Sequence, residues 1–141
     1  MSKIHWLGAG LSAIPGLKML IENDHSVIVY NRTVKKASDA LLGVKGNYQI
    51  VEFSLEAIKK NATAGDVIVS MLPGNFHVPV AELSLSLGAH FVSSSYISDE
   101  MKMLHEESLK KNLCLVNEVG LDPGIDHSMS HALVEDYKNS K

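Results

Sequence analysis

The chain alternates short apolar runs with segments of helical periodicity along its whole length, and this alternation restricts the folds open to it. Six short apolar runs, most of them rich in β-branched residues and bounded by Gly, Asn, Asp or Ser, occupy residues 3–7, 25–30, 48–53, 66–72, 90–94 and 113–116. Such runs are typical of strands covered on both faces of a sheet. Between the first two, Ile14, Leu17 and Ile21 share one face of a helix. The alternation predicts an α/β fold with a doubly wound, mainly parallel sheet of about six strands.

Length, composition and charge limit the class of protein. At 141 residues, with 45% hydrophobic and 21% charged residues, the chain has the composition of one globular domain. Its formal net charge of −3 argues against nucleic acid or an acidic membrane as a main partner. The single cysteine, Cys114, lies in the apolar run LCLV, which predicts a buried, unreactive thiol. With no cysteine pair, no apolar run of membrane-spanning length and no secretory leader pattern, we expect a cytoplasmic protein.

The turn after the first predicted strand has the spacing of a dinucleotide-binding loop. Residues 8–13 read GAGLSA, which matches G-x-G-x-x-G/A between a strand and a helix start. Gly8 permits the tight turn, Gly10 lets the backbone approach a pyrophosphate, and Ala13 lets the helix pack closely on the strand. The pyrophosphate then accepts from N–H groups at the positive end of the helix dipole, with Pro15 tolerated in the first turn. We interpret the domain as a Rossmann-type dinucleotide-binding fold. The alternative is a tight turn in another doubly wound protein.

The residues after the second predicted strand distinguish NAD from NADP. An acidic residue there, about 20 positions after the glycine loop, accepts from the ribose 2′-OH of NAD. This chain instead has Asn31, Arg32 and Thr33, with Lys35 and Lys36 beyond. The guanidinium of Arg32, the only arginine in the sequence, suits a 2′-phosphate, and Thr33 adds a hydroxyl donor. We predict NADP as the cofactor, with NAD less favoured. The alternative is a solvated basic start to the next helix.

Polar turns also follow the later predicted strands. The first, SMLPG at residues 70–74, ends the fourth strand, and SSSY at residues 93–96 ends the fifth. The run VNEVGLDPGIDH at residues 116–127 places two carboxylates and a histidine around a Pro-Gly turn. Open α/β sheets bind ligands at the carboxyl ends of their strands, so these turns predict the second half of a cleft. Ser98, followed by two acidic residues, predicts a helix start.

Five segments together resemble the N-terminal cofactor domain of the reductase-type, glutamate-forming saccharopine dehydrogenases of lysine metabolism. In chain order they are LGAGLSAIP, VYNRT, SMLP, SSSYIS and NEVGLDPGIDH. The resemblance implies an NADP(H)-binding Rossmann domain over residues 1–141 and oxidation of saccharopine to glutamate and the lysine-derived semialdehyde. In reverse, the imine of glutamate and that aldehyde (allysine) receives the hydride at its C–N bond. The alternatives are a homospermidine or carboxynorspermidine synthase-like reductase, a lysine dehydrogenase-like enzyme, and a nucleotide-binding module without catalysis.

Carried over by position, the resemblance implies two groups of site residues. The implied cofactor contacts are Gly8, Gly10, Leu11, Ser12, Ala13, Asn31, Arg32, Thr33, Ser70, Met71, Leu72, Ser94, Leu121, Asp122, Pro123 and Gly124. The implied substrate contacts are Ser95, Tyr96 and Asp122, of which Tyr96 and Asp122 are the candidates for catalytic positioning. Asp122 could pair with the substrate's ammonium group through a charge-assisted contact.

The last predicted helix starts within the final polar turn. We expect Asp126 to cap it and His127 to have a structural role beside the site. Because His127 and His131 lack the acidic partner of a metalloprotease helix, no metal site is predicted. An apolar stripe along the helix follows the i, i+4, i+7, i+8 rule at Ile125, Met129, Ala132 and Leu133.

The chain departs from the resemblance in its length. The resemblance implies a second α/β domain that supplies basic residues for the substrate's carboxylates, whereas the sequence given ends at Lys141. We expect a fragment or short form that binds NADP(H) but turns over poorly by itself, since hydride transfer depends on positioning. The expected partners are a small amino-acid substrate and either the missing C-terminal domain or, through the apolar stripe of the last helix, a second copy.

Overall fold

The protein contains a six-stranded sheet in which all strands run parallel, as seen in a computed structural model that describes residues 2–140. The strands are β1 (Ile4–Leu7), β2 (Val27–Asn31), β3 (Tyr48–Glu52), β4 (Val67–Ser70), β5 (His90–Ser93) and β6 (Leu115–Val116). Their order in space is β3-β2-β1-β4-β5-β6. Leu7 is in register with Tyr30 on one side and with Ser70 on the other. The predicted α/β sheet is confirmed, and its strand order reverses between β1 and β4, where doubly wound folds bind ligands.

Helices cover the sheet on both sides. They are α1 (Ile14–Glu22), α2 (Val34–Ala40), α3 (Leu55–Asn61), α4 (His77–Leu87), α5 (Asp99–Met103), α6 (His105–Lys110) and α7 (Asp126–Asn139). One buried apolar cluster joins α1 and α2 to the sheet through Leu17, Ile21 and Trp6. A second cluster joins α3 and α4 to the sheet and includes Ile58 and Val80. The two clusters lie on opposite faces of the sheet because side chains alternate along each strand, so the fold is doubly wound.

Local signals in the sequence account for several helix ends. Pro15 occupies the first turn of α1, as predicted, where its missing N–H removes no helical bond. Ser98 accepts a hydrogen bond from the Met101 N–H at 3.2 Å and caps α5, which confirms the predicted helix start. Gly88 ends α4 with φ of 71°, a left-handed conformation that glycine adopts without strain.

Two expectations fail at strand ends. The fourth strand is shorter than the predicted 66–72: it spans Val67–Ser70, and the carboxylate of Asp66 just before it accepts from the N–H groups of Lys3 and Thr63 at 2.8 and 2.9 Å. Cys114 is exposed, so the prediction of a buried thiol is wrong. It directly precedes β6, which has only two residues and lies at the edge of the sheet, where side chains are less covered.

The last helix, α7, is exposed to solvent along its length. No residue of α7 is buried. Its apolar stripe is confirmed, and it is open to solvent, with Ile125, Met129 and Leu133 exposed by 56%, 57% and 68%. Within residues 2–140 no helix combines the length and the apolar character needed to cross a bilayer.

Candidate cofactor and substrate site

The loop between β1 and α1 is held against the end of β4. The N–H of Gly8 donates to the Tyr30 carbonyl at 2.8 Å, and its φ is +100°. A Cβ at Gly8 would lie 2.9 Å from the Met71 carbonyl oxygen, closer than real Cβ atoms approach. Glycine at this position is therefore required by the packing of the protein itself.

The next residues of the loop face open space. A Cβ added at Gly10 would meet no atom within 4 Å. The N–H groups of Gly10, Leu11 and Ser12 donate to no acceptor in the part of the chain described. Ala13, only 2% exposed, packs in the same apolar cluster as α1. Unpaired N–H groups at the amino end of a nine-residue helix can donate to an anion such as a pyrophosphate.

Asn31 connects this loop to the next one. Its Oδ1 accepts from the Ala9 N–H at 3.1 Å, and its Nδ2 donates to the Thr33 carbonyl at 2.8 Å. The side chain replaces the acidic residue of NAD-binding sites and leaves no negative charge where the adenosine ribose would lie. Direct contact of Asn31 with a cofactor stays a prediction.

A cleft of about 300 Å³ opens beside the loop. Its lining combines the glycine loop, the second loop and the end of β4: Gly8, Ala9, Gly10, Asn31, Arg32, Thr33, Lys36, Phe53, Met71, Leu72, Pro73 and Phe76. Arg32 and Lys36 are the cations of this lining, which contains no acidic side chain. Thr33 makes no capping hydrogen bond, which leaves its hydroxyl available to a ligand. We call this space the cofactor cleft.

Two phenylalanines in the lining of the cofactor cleft were not predicted from the sequence. Phe53 and Phe76 meet edge to face, with ring centroids 5.7 Å apart and an interplanar angle of 88°. Phe53 follows β3 and Phe76 belongs to the turn after β4, so only the sheet order brings them together. Their positions at the carboxyl ends of strands were the available signal.

A second cleft, of about 670 Å³, is lined in part by the loop between β1 and α1. It brings together Ser12, Ala13, Met71, Ser94, Leu121 and Asp122 with apolar side chains such as Trp6 and Val69. Ser70 differs from its neighbours, since its side chain is fully buried, its Oγ has no hydrogen-bond partner and it lines neither of these clefts.

The turn at residues 121–125 positions Asp122 through its own backbone. Pro123 is buried, and a Cβ at Gly124, whose φ is +141°, would lie 2.6 Å from the Glu118 carbonyl oxygen. These two residues therefore shape the turn. The Gly124 N–H donates to Asp126 Oδ1 at 2.7 Å, whereas α7 has no side-chain cap. The prediction that Asp126 caps the last helix is wrong, because its carboxylate is used by the turn instead.

Tyr96 and Asp122, the two candidates for catalytic positioning, are in contact. The Tyr96 hydroxyl donates to Asp122 Oδ1 at 2.5 Å. This hydrogen bond, more than partial burial or nearby carboxylates, raises the pKa of the Tyr96 phenol. His127 packs edge-on against Tyr96, with centroids 6.4 Å apart, and lies 4.0 Å from Glu118. The phenol therefore stays protonated and held beside the carboxylate.

His77 is a site residue that the sequence analysis missed. It begins α4 and is 4% exposed, and its Nε2 lies 2.7 Å from Ser95 Oγ. Both residues line a third cleft of about 330 Å³ with Tyr96 and Ser98. A histidine directly after the turn that ends the fourth strand was the available signal. No group of three potential metal ligands occurs among the residues described.

Comparisons with known proteins agree with this geometry. Residues 4–116 match the saccharopine dehydrogenase NADP binding domain family. The chain is 37% identical over 127 residues to the saccharopine dehydrogenase [NADP(+), L-glutamate-forming] of Saccharomyces cerevisiae, covering 86% of this chain and 28% of that protein. It is 34% identical over 118 residues to the alpha-aminoadipic semialdehyde synthase of Arabidopsis thaliana, covering 82% of this chain and 11% of that protein.

A solved structure gives the same result at the level of the fold. The apo saccharopine dehydrogenase (L-Glu forming) of S. cerevisiae superposes with a TM-score of 0.79 and 28% identity, over 96% of this chain and 31% of the other. The chain thus spans at most about a third of these relatives. The expectation of an NADP-type cofactor domain is confirmed. The chain belongs to the saccharopine dehydrogenase NADP binding domain family.

Proposed function

We propose that the chain binds NADP(H) across the carboxyl ends of β1, β2 and β4 and forms the cofactor half of an oxidoreductase acting on the C–N bond of saccharopine. The observation that carries the proposal is the set of unpaired N–H groups at Gly10, Leu11 and Ser12 beside a cleft whose charged side chains are Arg32 and Lys36. A loop without charged side chains can bind an anion through such N–H groups. Arg32 and Lys36, with no acidic side chain in the lining of the cofactor cleft, favour the extra 2′-phosphate of NADP.

The two clefts suggest a division of tasks. We assign the pyrophosphate to the loop at residues 10–12, the 2′-phosphate to Arg32 and Lys36, and the nicotinamide end to the cleft that contains Ser94, Leu121 and Asp122. Met71 lines both clefts, so the two spaces are neighbours. When bound, NADP(H) gives or accepts the hydride. The residues of the chain orient it, because hydride transfer depends on the alignment of donor and acceptor.

Substrate positioning is assigned to Asp122 of the second cleft and to Ser95 and Tyr96 of the third cleft. The Asp122 carboxylate accepts from Tyr96 and retains acceptor capacity for an ammonium or secondary amine of the substrate. Tyr96 would hold the orientation of Asp122, and Ser95 would add a hydroxyl oxygen. The carboxylates of the substrate need cations, and among residues 2–140 no lysine or arginine lines the second or third cleft, which supports a role for a second domain. A cytoplasmic location stays a prediction, which cell fractionation would test.

Calorimetric titration of the chain with NADPH, NADH and saccharopine, separately and combined, tests the proposal. We expect NADPH to bind more tightly than NADH at equal ionic strength. Equal or tighter binding of NADH would overturn the cofactor assignment. Robust oxidation of saccharopine by the chain alone would overturn the half-enzyme interpretation, and turnover of polyamine aldehydes by a full-length form would favour the synthase-like alternative.

A glycine substitution separates binding from folding. Gly10→Val should leave the free energy of unfolding within about 1 kcal/mol of the original, since no protein atom occupies the space. The same change should abolish NADPH binding, because the side chain fills the approach to the loop. Ser86→Val, at an exposed position of α4 that lines none of the three clefts, is the control and should keep NADPH affinity. A Gly10→Val variant that binds NADPH normally would contradict the assignment of the loop.

A further inference from the structure

Glu118 lies in the polar run at residues 116–127 and has no part in the cofactor and substrate contacts assigned above. Its φ is +61°, and it is one of three non-glycine residues with a positive φ among residues 2–140. The other two, Asp24 and Asn112, are of the residue types that adopt this conformation most readily, whereas glutamate is not. Such a conformation persists where the surrounding contacts impose it.

The main chain and the side chain of Glu118 together bind the residues on both sides of Tyr96. The Glu118 N–H donates to the Ser95 carbonyl at 3.1 Å, and Glu118 Oε1 accepts from the Ile97 N–H at 3.2 Å. A residue of a parallel strand spans its neighbour in this way with its own N–H and carbonyl. The Glu118 carbonyl instead packs against Gly124, where a Cβ would lie 2.6 Å from its oxygen. The carboxylate therefore accepts in place of the carbonyl.

The second carboxylate oxygen of Glu118 faces the ring that packs on Tyr96. Glu118 Oε2 lies 4.0 Å from His127 Nε2, and the His127 ring meets the Tyr96 ring edge to face. Tyr96 itself is 61% exposed, so packing alone does not fix the phenol on Asp122. The direction of the Tyr96 side chain thus depends on the main chain that Glu118 holds.

We propose that Glu118 is a positioning residue: by binding the main chain before and after Tyr96, it directs the Tyr96 phenol to Asp122, the residue assigned to the amine of the substrate. The inference rests on the proposed function for the identity of that ligand. Glu118 itself does not contact the substrate, because one of its carboxylate oxygens accepts from Ile97 and the other faces His127. The property that matters is the reach of the side chain, since any acceptor oxygen in the place of Oε1 would serve.

Two uncharged substitutions at residue 118 test the reach of the side chain. Glutamine can place its amide oxygen where Oε1 accepts from Ile97, whereas asparagine is one carbon shorter. Asparagine also adopts a positive φ more readily than glutamine does, so backbone strain acts against the expected difference. We expect Glu118→Gln to keep the orientation of Tyr96 and Glu118→Asn to lose it. Asp24→Asn is the matched control, because it removes a carboxylate at an exposed residue with a φ of +63° that lines none of the three clefts.

The orientation of Tyr96 is read by NMR without any ligand. Three-bond couplings from Tyr96 Cγ to the backbone N and C′ show whether the side chain keeps one χ1 rotamer or averages over several. The original chain, Glu118→Gln and Asp24→Asn should each show one rotamer, and Glu118→Asn should show averaging. Averaged couplings in the original chain or in Glu118→Gln, or a single rotamer in a folded Glu118→Asn chain, would overturn the proposal. If Glu118→Asn fails to fold, Glu118→Gly gives the same comparison, because glycine adopts this φ without strain.

The consequence for the ligand is measured by titrating saccharopine into the NADP⁺-saturated chain and following the Tyr96 ring signals. We expect Glu118→Asn to weaken binding by about tenfold or more, the usual effect of losing a charge-assisted contact, and Glu118→Gln to bind as the original chain does. Equal affinities in the two variants would overturn the link between Glu118 and the substrate. No response of the original chain to saccharopine would reject the substrate assignment of the proposed function, whereas the Tyr96 couplings would still decide the role of Glu118.

Discussion

Two glycines of one loop meet different requirements. Gly8 has a left-handed φ and lies against the Met71 carbonyl, so the folded protein needs it even without ligand. Gly10 is surrounded by open space and has no left-handed φ, so nothing in the fold excludes a side chain there. The second glycine is explained by the approach of a ligand.

Gly8→Ala should lower the free energy of unfolding by about 1–3 kcal/mol more than Gly65→Ala does. Both sites have a positive φ, but only Gly8 has a neighbouring carbonyl that a Cβ would strike. Urea unfolding of the two variants measures the difference. Equal losses would mean that the contact with Met71 relaxes at little cost.

Arg32→Ala should weaken NADPH binding by about 10- to 100-fold, the usual effect of losing a charge-assisted hydrogen bond, and should change NADH binding little. Lys35→Ala is the control, because Lys35 pairs with Asp39 at 2.8 Å on the exposed side of α2 and does not line the cofactor cleft. Calorimetry with both nucleotides gives the affinities. Equal losses in the two variants would show a general charge effect instead of a specific phosphate contact.

At the scale of the elements, a buried polar network joins three strands at the other end of the sheet. His5 on β1 is fully buried, with Nδ1 2.9 Å from the Tyr30 hydroxyl on β2 and Nε2 3.0 Å from Asp66 Oδ2 before β4. Burial would raise the pKa of Asp66, but hydrogen bonds from Lys3, Thr63 and His5 outweigh it and lower that pKa to about 2. Burial lowers the pKa of His5 despite the partner carboxylate.

This network makes the stability of the fold depend on pH. The unfolded chain takes up a proton at His5 once pH falls below about 6.5, whereas the folded chain does so only at lower pH, so the free energy of unfolding falls in that range. Asp66 adds a second loss as pH falls from 3.8 toward about 2. Urea unfolding between pH 7.5 and 5 should show the first loss.

His5→Gln should reduce that slope and cost about 2 kcal/mol at pH 7, since Asp66 and Tyr30 lose a partner. Thr63→Val is the control: it removes the hydroxyl that donates to Asp66 at 3.0 Å and leaves every histidine in place. It should lower stability without changing the slope. A His5→Gln chain with an unchanged slope would show that other groups cause the acid sensitivity.

At the scale of the molecule, the exposed stripe of α7 predicts self-association. Apolar side chains in a row on a helix that buries none of its residues favour contact with another surface. We expect the mass measured by light scattering to rise with concentration, and Leu133→Lys to suppress the rise. His131→Lys, at an exposed position off the stripe, is the control. A clean monomer at high concentration would contradict this prediction.

The amino-acid sequence by itself determined the layered α/β fold, the glycine loop and the basic residues after β2. These features follow from local rules: alternation and periodicity fix the elements, and a parallel sheet gathers the carboxyl ends of its strands at one edge. The contact of Tyr96 with Asp122 was not predicted, although both residues were placed in polar turns that follow strands at that edge.

The tertiary structure alone decided the contacts between residues far apart in the chain. It placed His77 against Ser95, gave His5 its two partners and turned the Asp126 carboxylate toward Gly124 in place of a helix end. It also exposed Cys114, whose apolar neighbours had suggested burial. The physical reason is that burial and hydrogen bonding depend on which elements become neighbours, and no periodicity within one segment records what packs against it.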